Sequence, residues 1–359
     1  IMGLATIVND DASISVSGAS AAEGSNTLKF LDHLVSPGSG SLSTARSSVF
    51  GPDGNLYVAS ADTNSILRYD PTGEFMDAFV APGGGGLSSP WDLTFGPDGN
   101  LYVSSDGNNE VLSYNGSTGA FLGVVASGLS TPGGLTFGPD GSLYIANQGA
   151  NEVLCYNSSG LSSFVTAGSG GLSKPRRAVF GPDGNLYVAS QCSGQVLRYN
   201  GQTGAFIDVF ATTGSTSGPI WLQFGTDGYL YTTVRTTASG SNTSIDRFNA
   251  TTGAFVDSFA LGRDGWSFNL GPGNIIYDSS NSAGGFVDRI GPSSVAAFTV
   301  SLASASAGTA WVVGVPATSM FSFTTNVAPA SGPEVCALWL RTTESAPRST
   351  FIAASFLRG

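Results

Sequence analysis

Apolar and polar residues alternate in short runs along most of the chain, and clusters of turn-forming residues separate the runs. Between Asp92 and Val125 four such runs can be read, Asp92 to Phe95, Leu101 to Ser104, Glu110 to Tyr114 and Ala120 to Val125. Period-two alternation bounded by Gly, Pro, Asn and Asp predicts β-strands joined by tight turns. In Gly96-Pro97-Asp98-Gly99 the proline fixes φ, the aspartate bonds neighbouring backbone, and the last glycine is free to take positive φ. Asn115-Gly116-Ser117-Thr118-Gly119 is a second turn of similar chemistry, between the third and fourth strands.

The same pattern recurs. Copies of Phe95-Gly-Pro-Asp-Gly-Asn-Leu-Tyr-Val103 start at Phe50, Phe137 and Phe180, a worn copy starts at Phe224, and a shortened one runs from Leu270 to Tyr277, at intervals of 45, 42, 43, 44 and 46 residues. Four strands at this period make a β-propeller blade, whose apolar faces are covered only by neighbouring blades. Leu28-Lys-Phe-Leu-Asp-His-Leu-Val35 aligns with the last strand of a unit, Glu74 to Val80 or Ala205 to Phe210. The expected fold is therefore all-β, a six-bladed propeller whose N-terminal strand completes the last blade. In an alternative reading the tail runs Ala310 to Val315, Met320 to Thr325 and Cys336 to Leu340 form a seventh blade. The expected division is a lead-in over residues 1–27, the propeller over 28–293 and a tail over 294–359.

The pattern P-x-x-L-x-F-G-P-D-G-N-L-Y-V followed by N-x-V-L-x-Y-N resembles the NHL-repeat and gluconolactonase-like propeller superfamily, over about residues 28 to 293. That resemblance implies ligand binding at the mouth of the central channel, on a scaffold that hosts lactonases, organophosphate hydrolases, lyases and binding modules. The flanks resemble Calx-beta modules of bacterial surface proteins, through Ala5-Thr-Ile-Val-Asn-Asp-Asp11, Ile14-Ser-Val-Ser17, Ala22-Glu-Gly24 and Ala296-Ala-Phe-Thr-Val-Ser-Leu302. The repeats would then be inserted into, or spliced beside, a broken module.

Composition narrows the partners. Fourteen Lys plus Arg against 25 Asp plus Glu give a net charge of -11, which disfavours nucleic acid and anionic membranes. No apolar run approaches the ~18 residues of a membrane helix, and the Ile1-Met-Gly start has no signal-peptide pattern. A monomer binding a small molecule, extracellular or on a bacterial cell surface, is the expectation. Cys155, Cys192 and Cys336 match no metal or redox spacing and are expected to be buried free thiols.

Chemistry is expected away from the repeated turn. Asp53, Asp98, Asp140, Asp183 and Asp227 read as turn formers. On the opposite face two positions open each inner strand. Where lactonases that this chain resembles place metal-binding Glu, Asn or Asp, it has Arg46, Trp91, Gly133, Arg176, Ile220 and Trp266. The neighbouring position holds Ser47, Asp92, Gly134, Arg177, Trp221 and Ser267. Loops after the second strands add Asp62, Asp106, Asn147, Gln148, Gln191, Arg235 and Asp278. Asp92 beside Trp91 reads as a general base, and Asp106, Arg176 and Arg235 as its catalytic partners. Arg46, Trp91, Asn147, Gln148, Gln191, Trp221 and Trp266 read as ligand-binding. One divalent ion, Ca2+ or Zn2+, would fall to Asp92, Asp106 and Asn147, and no organic cofactor is expected. His33, the single histidine, lies on the closing strand, so no Ser-His-Asp triad can form at the mouth. The Gly-rich run Pro82 to Gly86 lacks the Lys-Ser/Thr of a phosphate loop. The best-supported activity is hydrolysis of small esters, lactones or phosphotriesters; the alternative is a binding module without turnover.

Overall fold

The computed structural model describes residues 28–214, 218–235 and 243–292, together with the backbone of strands in the flanking segments. Six four-stranded antiparallel sheets follow one another in sequence, and their inner strands contact in a closed circle. The second blade shows the plan: Pro90–Phe95, Leu101–Ser105, Glu110–Tyr114 and Phe121–Ala126, from the inside out. The sixth combines Gly265–Leu270, Ile276–Ser280 and Phe286–Pro292 with Leu28–Val35 as its outer strand. Among the described residues no helix is long and apolar enough to cross a membrane.

The motif explains the packing. Its tyrosine meets, edge to face, an aromatic ring on the inner strand of the next blade, in Tyr57–Phe95, Tyr102–Phe137, Tyr144–Phe180, Tyr187–Phe224, Tyr231–Phe268 and Tyr277–Phe50. Such pairs contribute about 0.5–1.5 kcal/mol beyond the area they bury. The tyrosine hydroxyl donates to the turn aspartate of its own blade, as from Tyr102 to Asp98 at 2.9 Å and from Tyr187 to Asp183 at 2.9 Å. These aspartates also accept from the Asn two residues on, so they build turns, as the sequence suggests. Gly119 has φ +71°, and a side chain there would run into the Phe79 carbonyl of the preceding blade. Gly73 stands in the same relation to Leu34, which joins the closing strand to the first blade.

Closure repeats a pairing found elsewhere in the ring. Arg68–Asp77, Arg198–Asp208 and Arg247–Asp257 link third to fourth strands, and Arg289–Asp32 links the third strand of the sixth blade to the N-terminal strand. Inside that blade the pattern departs. Phe268, Asp278 and Asp288 lie directly opposite one another, where the second blade has Leu93, Val103 and Leu112. Asp278 and Asp288 are fully buried, Arg263 bridges both, and His33 bonds Asp288. Asp278 therefore sits mid-strand, not in a loop of the mouth.

The rest of the chain, Ile1–Thr27 and Pro292–Gly359, forms a second compact unit. In it Ile14–Ser17 pairs with Phe298–Leu302 and Ala5–Thr6 with Trp311–Val315, so strands from both ends of the chain share sheets. The tail strands belong to these sheets, and the seventh-blade alternative is set aside.

Candidate functional site: an arginine and tryptophan cluster at the channel mouth

The mouth is built where each second strand ends. In every blade an amide just after the second strand donates to the loop before the inner strand, as from Asp106 to Ser89, Gln148 to Thr131, Gln191 to Lys174 and Arg235 to Gly218. Each inner strand then carries one extra residue at the two candidate positions. In the second blade Pro90 faces Ser105, yet Leu93, three residues on, faces Val103, two residues back. Such a bulge re-aims side chains, and here it separates the two positions by role.

The second position fastens the ring. Asp92, 1% exposed, accepts from Ser47 Oγ at 2.7 Å, from the amides of Leu93 and Leu135 at 2.8 and 2.7 Å, and from Arg177. Arg177 also donates to the Leu135 carbonyl at 2.8 Å and lies over Trp221, whose Nε1 donates to the Phe268 carbonyl at 2.7 Å. This belt touches all six blades. It gives Asp92 a different role from the general base suggested by its neighbour Trp91, because four donors already occupy both carboxylate oxygens. Trp221 likewise belongs to the belt.

The first position forms the site. Arg46 lies 4.6 Å from the Trp91 ring and 4.3 Å from the Trp266 ring, and the two indoles meet edge to face at 5.1 Å. Arg176 lies 4.8 Å over Trp91, and Arg235 lies 4.4 Å over Trp266. Arg176, 6% exposed, donates to Gln191 Oε1 and Gln148 Oε1, each at 2.7 Å. Gly133 and Gly134 of the third blade leave room for this: side chains there would meet Gln148, Arg177 and the Arg176 backbone. Ile220, 2% exposed, is buried.

Burial brings the Arg176 guanidinium down to about 10, helped by Arg235 and Arg46. Arg46 is lowered by burial too, with Asp106 and Asp62 opposing. Asp106 is raised by burial against the pull of Arg46 and Arg176. It forms no ion pair among the described residues, and its Oδ1 is buried without a hydrogen-bond partner. Arg235 pairs with Asp264 at 3.4 Å.

Beside the cluster opens a cleft of about 510 Å3, lined by Trp91, Asp106, Gln148, Lys174, Arg176 and Cys192 among others. Lys174 stood outside the expected site and Arg177 stood at a candidate position without an assigned role, although Lys174-Pro-Arg-Arg177 is a dense run of cations in a chain poor in them. Cys192 is exposed, against expectation, whereas Cys155 is buried. Cys336 lies outside the residues whose side chains are described.

The expected metal set is not assembled. The oxygens of Asp92 are taken, and Asn147 accepts from the Ser130 amide at 2.7 Å and donates to Glu152 at 2.9 Å, which makes it a loop fastener like Ser105. Among the described residues no group of three or more His, Cys, Asp or Glu converges.

No family model and no curated protein matches the chain. Solved structures do. A gluconolactonase from Xanthomonas campestris superimposes with a TM-score of 0.58 at 14% identity, over 81% of this chain and 98% of that one. Virginiamycin B lyase from Staphylococcus aureus gives 0.53 at 17% identity, over 70% and 81%. A catalytically inactive histidine-to-alanine form of that lyase, with quinupristin, gives 0.53 at 14%, over 74% and 99%. At these identities the likeness is one of fold, and nothing in it extends to the Calx-beta resemblance of the flanks.

Proposed function

We propose that this propeller is a hydrolase of small esters, lactones or phosphotriesters, with Asp106 as the acid-base group and Arg46 and Arg176 stabilising charge that develops on oxygen. The observation that carries the reading is Asp106 itself: a half-buried carboxylate with a raised pKa and one oxygen without a hydrogen-bond partner, in a cleft that Arg176 also lines, with Arg46 near enough to act on its charge. A base works best when its pKa lies near the working pH, and burial moves Asp106 in that direction. Its carboxylate takes a proton from water as the water oxygen bonds to the carbonyl carbon or phosphorus. The guanidinium groups meet the oxygen that gains charge. When the bond to the leaving oxygen breaks, the proton passes from Asp106 to that oxygen. The single histidine, His33, lies on the outer closing strand and bonds Asp288, which puts histidine chemistry away from the mouth.

The residues do not fit a divalent ion, because the Asp92 oxygens and the Asn147 amide are already bonded. A second reading, a receptor without turnover, draws on the same arginines, since indole rings and glutamine carbonyls hold them in place before any ligand arrives.

A panel of p-nitrophenyl esters, lactones and a phosphotriester, assayed with and without chelator, separates the two. Turnover that survives chelator and drops about 10²- to 10⁴-fold in Asp106→Asn supports the hydrolase. No turnover by the wild type, or turnover unchanged in Asp106→Asn, ends it. Because the base must be ionised, kcat/KM should rise with pH through the raised Asp106 pKa and level off above it.

A further inference from the structure

We infer that the mouth is an oxyanion receptor, and that the molecule it takes carries a carboxylate or phosphate group that gives Arg46 and Arg176 the ion-pair partner they lack among the described residues. This deepens the hydrolase reading and rests on it only in calling the bound molecule a substrate.

Three independent observations lead here. The first is charge. In a chain of net charge -11, Arg46, Arg176, Arg235 and Lys174 gather at one end of the ring. Arg235 has Asp264, but Arg46 and Arg176 form no ion pair among the described residues. Guanidinium groups removed from water without a carboxylate are unfavourable, and the acceptors that hold Arg176 are neutral amides. An anion relieves that cost by charge and by bidentate hydrogen bonding.

The second is donor excess. Arg46 Nε, Gln148 Nε2 and Trp266 Nε1 are buried without partners, and Gln148 is 3% exposed and lines the cleft. Buried donors are nearly always satisfied, and an oxygen-rich group in the cleft would accept from Gln148, which lines it. The third is rigidity. Stacking between Trp91 and Trp266 and the paired glutamine bonds fix the guanidinium groups in advance, so little freedom is left to lose on binding. Asp106 lies beside this cationic field, so an ester whose anionic group rests on one guanidinium brings its reacting atom to the acid and its developing oxyanion to the other guanidinium.

Calorimetry on the full chain tests this with benzoate, phenyl phosphate and inorganic phosphate as probes and benzyl alcohol as the neutral control. Saturable binding of at least one anion is expected, at least tenfold tighter than benzyl alcohol and weakening as salt rises. The tighter of benzoate and phenyl phosphate identifies the group. Arg176→Gln and Arg46→Gln should each weaken it at least tenfold. Arg68→Gln, the same charge change on the third strand of the first blade, should leave it unchanged, and melting curves confirm that each variant is folded. Should one mouth variant fail to fold, the other carries the comparison. Absence of anion binding, equal binding of benzyl alcohol, or equal losses in all three variants would overturn the inference. Its fate is separable from that of the hydrolase. Anion binding without ester turnover leaves the receptor standing, and turnover that neither benzoate nor phenyl phosphate inhibits leaves only the hydrolase.

Discussion

The second and sixth blades have the same strand order and different interiors. The second follows the motif throughout: Leu93, Val103 and Leu112 fill its sheet face, Asp98 ties its turn, and Gly119 lets its outer turn meet the first blade. In the sixth the turn is shortened to Gly271-Pro-Gly-Asn274 without an aspartate, the outer strand comes from the other end of the repeats, and Asp278, Asp288, Arg263 and His33 replace the apolar row. Strand geometry thus tolerates a change of filling, here an acid pair held beside the Arg263 guanidinium. Both blades also give the mouth an indole, Trp91 and Trp266, with the acid Asp106 coming from the second alone.

The largest effect is expected from Asp106→Asn, whose lost turnover corresponds to about 3–5 kcal/mol of barrier, while Asp278→Asn leaves kcat/KM within about twofold. Gly119→Val comes next. It forces a branched residue into positive φ against the Phe79 carbonyl and should cost about 3 kcal/mol or more, seen as a lower melting temperature. The sixth blade has no such turn and depends instead on Arg289–Asp32.

A pH effect should follow from Asp278, which burial pushes up to about 8 against the pull of Arg263. A folded-state pKa above the ordinary carboxylate value contributes stability that is complete below that ordinary value and lost as pH rises through about 8. Wild type should therefore lose on the order of 3–4 kcal/mol between pH 5 and 8 relative to Asp278→Asn, measured by denaturant unfolding; parallel curves would show that the acid pair does not titrate in this range. The smallest effect belongs to the turns. Tyr102→Phe removes a donor to Asp98 and should cost about 1 kcal/mol, whereas Tyr277→Phe, in a blade without the turn aspartate, should cost less.

Much of this architecture was legible because it is local. Asp98 bonds Asn100 and Tyr102, two and four residues away, so a short motif carries its own explanation. The closing strand was legible for a related reason: Asp32 matches Asp77 and Asp208 in position, and its partner Arg289 matches Arg68 and Arg198. The roles at the mouth were not legible. Nothing near Asp92 in sequence indicates that Arg177, 85 residues away, takes its carboxylate, or that Ser47 and Leu135 take the rest. Asn147 looked like a metal ligand because its loop bond to Ser130 depends on how two connections meet.

The period, the turns, the number of blades and the strand that closes them all follow from alternation and turn chemistry within some forty residues. Which charged groups became fasteners, and which kept no ion pair among the described residues, was settled by long-range packing. That choice depends on a one-residue bulge in each inner strand and on closure of the ring, which bring residues from all six blades together at one axis.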